Sequence, residues 1–267
     1  MLFFSSRGPC PVAFWLAAAG LGSALATACD APARPPAAAP AAVAAQPPPA
    51  PPAAVPTAAY ALDTVRLDRQ VAAQLLAVQA AYPRLRPLPG TTPADPAGLR
   101  AFNQEAKAFV TSLVQEIEAT AHANRRQQLS SGLQVGFKSY ALGPGLVSVA
   151  FTITQDGIGP RPLTWATGLT YDLRTGHKLL PAALFRQTAA FQQAVLTALQ
   201  PLVGNSDDCE LQPDNMSWEN FALSPTTYYL LLGDPQVGRA CPVRQVAVPL
   251  ARLQAFAVPG SPAARLR

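Results

Sequence analysis

The chain has 267 residues, of which 29 are Pro, 17 Gly and 4 Cys; 49% are hydrophobic and only 13% are charged. That length allows one large or two small domains, but much of the apolar count is Ala crowded ahead of Tyr60, and runs of Ala build no core. Twenty basic against 15 acidic residues leave a charge of +5, too mild and too scattered for a nucleic-acid partner.

Arg7 is the only charge before Asp30, and it precedes an apolar run from Pro11 to Ala28. A short cationic start, an apolar stretch and small residues before a break read as an export signal. The alternative is a membrane-spanning helix, since the run is near the ~18-residue lower bound for a span; two Gly within it and no basic cluster after it favour the signal. Leu25-Ala26-Thr27-Ala28-Cys29 resembles the bacterial lipoprotein signal, in which small residues precede a Cys that becomes the lipid-modified N-terminus. The resemblance implies lipidation at Cys29, with several acyl chains giving a stable anchor where one chain binds marginally. An ordinary signal cut after Ala28 would instead leave Cys29 a free thiol. Residues 31–59 hold 14 Ala and 10 Pro among 29, with Arg34 the only charge. Repeated Pro removes amide donors and blocks helix, and without large apolar groups nothing can collapse. The expectation is a disordered, semi-rigid spacer over residues 29–59 that reaches up to about 90 Å from the bilayer.

Ordered sequence is expected from Tyr60 to about Val258. Phe102, Ala106, Phe109, Val110, Leu113 and Ile117 form one apolar helical stripe. Leu133, Val135 and Phe137 alternate with polar or small residues, as do Val147, Val149, Phe151 and Ile153, with Gly143-Pro-Gly145 turning between them: an antiparallel hairpin. Trp165 to Leu173 is a third alternating strand, ended by a turn over Asp172–His177 in which Gly176 can take a positive φ. Phe191, Val195, Leu196, Leu199 and Val203 make a second helix stopped by Gly204, and short strands follow near Asn220, over Thr227–Leu232 and over Val243–Pro249. Strands mixed with isolated helices, without regular βαβ alternation, predict an α+β fold with mostly antiparallel sheet and two main helices.

Several of these pieces in serial order resemble a known family. Ala81-Tyr-Pro-Arg-Leu85, then Leu99-Arg-Ala-Phe-Asn-Gln104 opening the long helix, then the hairpin, are similar to the N-terminal module shared by the RsiV anti-sigma factor and the PdaC deacetylase. Leu169-Thr-Tyr-Asp-Leu-Arg-Thr-Gly176, the Leu179–Phe185 segment, Trp218-Glu-Asn-Phe-Ala-Leu-Ser-Pro225 and Val246-Ala-Val-Pro-Leu250 resemble the RsiV-type C-terminal module. The resemblance implies an N-terminal α+β module over residues 60–155, a C-terminal one over 156–258 and a tail over 259–267, behind a signal peptide over 1–28. It also implies recognition of a cell-wall-active protein, such as lysozyme, or of wall fragments. The family's Gly-Gly-Ala-His-like turn is replaced here by Asp156-Gly-Ile-Gly-Pro-Arg-Pro162, so that histidine's role does not carry over. With no sigma-binding segment ahead of the signal, direct anti-sigma signalling is not expected.

Catalytic chemistry has few candidates. Only His122 and His177 are present, neither in a zinc-ligand spacing. No nucleophile elbow, P-loop or dinucleotide fingerprint appears; Ser130-Ser131-Gly132 reads as a turn ahead of a strand. Asp207, Asp208 and Glu210 beside Asn205 read as a solvated loop before a calcium site. No cofactor and no metal are expected. Cys10 leaves with the signal and Cys29 is claimed by lipid, so Cys209 and Cys241 remain. In an oxidising compartment they can bridge, which would stabilise by about 3–4 kcal/mol; two buried reduced thiols are the alternative. Trp218, Tyr228, Tyr229 and Arg239 are the candidate binding residues around that bridge, although Trp and paired Tyr also suit a core. The expectation is a non-enzymatic lipoprotein of the bacterial envelope, anchored to a membrane and facing outside the cytoplasm, on its periplasmic or outer-membrane side. A hydrolase acting on peptidoglycan or its acyl groups is the alternative.

Overall fold

The structure is a computed structural model that describes residues 60–89, 96–143, 145–159, 161–203, 217–232 and 245–266. The signal peptide, Cys29, the Ala/Pro spacer, the acidic residues 207–210, Arg239 and both candidate disulfide cysteines lie outside the described residues. Among those described, no helix is long and apolar enough to cross a membrane.

The fold is α+β. Its larger sheet has six strands in sequence order: β1 (Tyr60–Val71), β2 (Leu76–Pro87), β3 (Ser131–Ala141), β4 (Leu146–Asp156), β5 (Leu163–Asp172) and β6 (His177–Lys178). All neighbours are antiparallel except β2 and β3, whose parallel pairing requires a crossover. That crossover is the helix α1 (Pro96–Asn124), which buries Leu99, Phe102, Ala106, Val110, Leu113, Ile117 and Ala121 against one face of the sheet, its front. The apolar stripe therefore extends one turn beyond each end of the Phe102–Ile117 run read from the sequence.

The expected hairpin is β3–β4, in register Phe137↔Phe151. Along β4, Val147, Val149, Phe151 and Ile153 face α1, whereas Leu146, Ser148 and Ala150 are buried on the rear face. That rear half is covered by a second sheet of β7 (Phe221–Leu223), β8 (Thr227–Leu231) and β9 (Gln245–Pro249), backed by α3 (Ala189–Val203). The two cores thus lie on opposite faces of one sheet, with β4 as the shared wall. Strands on either side of position 155/156, where two modules were expected to meet, are consecutive members of that sheet.

Short helices α2 (Pro181–Leu184), α4 (Leu250–Leu253) and α5 (Pro262–Arg265) complete the rear core. Residues 259–266, expected as a tail, are packed into it. Ala263 and Leu266 are buried, the Ser261 hydroxyl donates to Leu184 O at 3.2 Å, and the Gln254 amide donates to Leu266 O at 2.6 Å.

The Asp172–His177 turn has a clear cause. One Asp172 carboxylate oxygen accepts the Arg174 N–H at 2.9 Å, Gly176 N donates to Asp172 O at 2.9 Å, and Gly176 has φ +70°. A short polar side chain that closes onto its own backbone and a residue at ease in the left-handed region are what this turn requires.

Candidate binding site

Among the described residues, the concave places near the polar parts of the large sheet include a smaller and a larger one. The smaller, of about 370 Å³, lies at the outer edge of β5 and is lined by Phe109, Trp165, Thr167, Lys178, Glu219 and Asn220. Here β6 pairs only with Tyr171 and Asp172, so the first part of β5, held by β4 on one edge, has no neighbour in the large sheet on the other. Asn220 fills that role: its Oδ1 accepts from Gly168 N at 2.9 Å, and its Nδ2 donates to Ala166 O at 2.8 Å and to Leu231 O at 2.9 Å. Gly168 has to be glycine for the second sheet to come this close, because a Cβ there would stand 1.7 Å from Phe221 O.

The larger groove, of about 720 Å³, lies on the rear face where the second sheet does not reach. Its side chains come from alternating positions of three strands: Thr64, Arg66 and Asp68 of β1, Gln79 of β2, and Gln134 and Gly136 of β3. The pairings Asp68↔Gln79, Gln79↔Gln134, Gln134↔Thr154 and Thr154↔Thr164 align five polar residues in one row across five strands. The floor beside that row is small: Ala81, then Gly136, at which an added Cβ would meet nothing within 4 Å.

The groove reaches Ala81, Gly136 and Phe137, where β2 and β3 fork. Their pairing runs only from Leu76↔Ser131 to Ala80↔Val135, although both strands continue well beyond it. Pro83 explains the fork. Leu85 turns both its N–H and C=O away from β1, onto Asn103 of α1 at 2.7 and 2.8 Å. By the two-residue period of a strand, Pro83 presents its backbone to the same side, where it has no N–H to continue a ladder. On the other prong, Ser131 N donates toward β2, to Leu75 O at 2.9 Å. Phe137 and Ser139, of the same parity, therefore turn their N–H and C=O into the fork, where β3 has no strand partner.

Further along the rear of β3 stand Lys138 and Tyr140. Tyr140 stacks on Tyr229 of the second sheet with ring centroids 5.2 Å apart, and Lys138 Nζ lies 5.2 Å from the Tyr140 ring centre. Burial, followed by the charge of Tyr229 and a hydrogen bond with it, pushes the Tyr140 hydroxyl up to about 12.

Of the residues picked from the sequence, Tyr229 lies at this boundary, half-buried. Trp218 is half-buried, edge-on to Phe191 at 6.5 Å. Tyr228 offers no binding surface: it is 0% exposed and packed among Phe185, Phe191 and Phe221. Its place in β8, between the second sheet and α3, explains that burial. His122 is exposed on the last turn of α1, and His177 is exposed opposite Asp172. Sequence reading missed the groove residues because it assigned no strand over 60–87. Pro83 was the available signal, since a proline in a strand marks a place where pairing stops.

No family model matches the sequence, and no curated protein matches it. The structure is similar to two solved structures described as DUF3298 proteins. One is from Bacteroides fragilis NCTC 9343, with 12% identity, a TM-score of 0.47, and coverage of 78% of this chain and 98% of that one. The other is from Pseudomonas aeruginosa PAO1, with 15% identity, a TM-score of 0.48, and coverage of 74% and 95%. Neither description names RsiV or PdaC.

Proposed function

We propose that the chain is a non-enzymatic, lipid-anchored protein of the bacterial envelope whose α+β domain binds a cell-wall-associated partner. The observation that carries the reading is the rear-face groove. Its row of amide, hydroxyl and carboxylate side chains is fixed on neighbouring strands, an arrangement suited to holding a polar ligand at little ordering cost. Its ionisable members, Arg66 and Asp68, are a cation and an anion two residues apart on one strand, a pair for recognition rather than proton transfer. The RsiV- and PdaC-like order of motifs supports an extracytoplasmic setting, and Cys29 at the head of the Ala/Pro spacer supports the anchor.

The test has two arms. Fractionation should find the chain in the membrane, labelled by a fatty-acid analogue, and Cys29→Ser should abolish the label and release the chain. The full chain, mixed with purified sacculi and with envelope extract, should sediment with or capture a partner without releasing soluble wall products. Release of muropeptides or acetate would replace this reading with the hydrolase. Absence of any partner would remove it.

A further inference from the structure

We infer that the β2–β3 fork is a docking slot for an extended polypeptide segment of a partner protein, which would enter as an added strand along β3. The inference rests on the partner-binding reading above and names the partner as protein rather than glycan. The main chain decides this. Phe137 and Ser139 present N–H and C=O groups to the fork at the two-residue spacing of a strand, on a strand already held by β4 in register Phe137↔Phe151 and Ser139↔Val149. An unpaired strand edge is a template for another strand, and strand addition draws affinity from main-chain bonds and specificity from alternate side chains. The backbone of an extended segment repeats donors and acceptors at that spacing.

The slot also fixes which side chains could follow. Positions of the added strand that face front would meet Tyr82, Leu85 and α1, where space is already filled by buried residues. Those positions call for small residues. Positions that face rear would lie over Gly136 and among Arg66, Gln79, Gln134 and Lys138, which favours polar or acidic side chains by charge: two cations against the one Asp68 carboxylate. A large apolar partner finds no complement there. Pro83 keeps the slot from closing on itself, because β2 lacks the donor that would zip it to β3.

Gly136 makes the inference testable without disturbing the core. A side chain there enters open space, and replacing a strand glycine with an aromatic residue raises β-propensity. Gly136→Trp is therefore expected to fill the slot while the melting temperature stays level or rises. Ser139→Pro is a second variant: it removes one fork-facing N–H on the side of β3 that does not bond to β4.

Backbone amide exchange comes first, on the full chain. Phe137 and Ser139 should exchange at least a hundredfold faster than Val135. Protection equal to that of Val135 would mean a closed fork and would overturn the inference. A phage-displayed random dodecamer library is then panned on the full chain. Enriched peptides should slow exchange at Phe137 and Ser139, and they should bind Gly136→Trp and Ser139→Pro at least tenfold more weakly, about 1.4 kcal/mol. No enrichment, or equal binding to a folded Gly136→Trp, overturns it. If an envelope partner captured by the wild-type chain also stays on Gly136→Trp, the slot falls while the partner-binding function stands. If peptides bind the slot and no envelope partner is found, the reverse holds.

Discussion

At the scale of single residues, the fold depends on short polar side chains that stand in for missing backbone partners. Asp172 is the clearest case with a pH signature. Burial of its carboxyl acts to raise its pKa, but the Arg174 side chain, the Arg174 and Thr175 N–H groups and the Arg174 charge together outweigh burial and hold it below the ordinary carboxylate range. A carboxyl whose pKa is lower in the folded chain contributes stability above its unfolded pKa and loses it as pH falls through its folded value. Asp172 is nearly buried at 7% side-chain exposure but its partner Arg174 is half-exposed at 48%, so its share is about 1 kcal/mol. Denaturant unfolding between pH 7 and pH 2 should show Asp172→Asn less stable than wild type at pH 7, with the difference shrinking as the solution is acidified. A difference that grows toward acid would contradict the assignment. The sequence showed this turn, because Asp and Gly at that spacing act locally.

At the scale of elements, legibility followed burial geometry. The α1 stripe and the β3–β4 hairpin could be read because each buries one face against a single neighbour, which imprints a period. β1 and β2 could not. β1 is an edge strand whose residues are mostly half-exposed, and its core-facing side includes Arg69, paired with Glu118 of α1. β2 contains Pro83, which argues against a strand in any local reading. The junction of the two sheets was equally hidden, since Asn220 looks like any loop asparagine until Ala166, Gly168 and Leu231 surround it. Its side chain makes three bonds there, partly buried. Asn220→Ala should destabilise by about 3 kcal/mol, at roughly 1 kcal/mol for each bond lost or group left unpaired. Asn220→Asp should do little better, because a carboxylate would face two carbonyl oxygens. Unfolding free energies from urea titration within about 0.5 kcal/mol of wild type for both variants would show that the clasp does not hold the sheets together.

At the scale of the whole molecule, the two ends of the described chain are both tied to the fold. Tyr60 is buried, its hydroxyl donates to Leu146 O at 2.9 Å, and burial pushes its pKa up to about 12. This ties the first strand to the start of β4, the shared wall between the cores. At the other end, α5 sets Ala263 and Leu266 into the rear core, Ser261 caps the helix and bonds Leu184 O, and the Gln254 amide holds the carbonyls of Ala263 and Leu266. The termini should therefore respond differently to cutting. A chain beginning at Ala59 keeps every contact just named, and its calorimetric melting temperature should match that of the full chain within about 2 °C, less than the shift per 1 kcal/mol expected for a domain of this size. A chain ending at Val258 exposes the surface that Leu266 and Ala263 covered, at about 2 kcal/mol, and leaves the Gln254 amide without its two carbonyl partners, at about 1 kcal/mol or more, while Leu184 O keeps the Val258 N–H. A loss of about 3 kcal/mol corresponds to a fall of roughly 6–12 °C. The opposite ranking, with the N-terminal cut lowering the melting temperature and the C-terminal cut leaving it unchanged, would mean that the rear core closes without its last helix and that the first strand draws support from residues ahead of Tyr60.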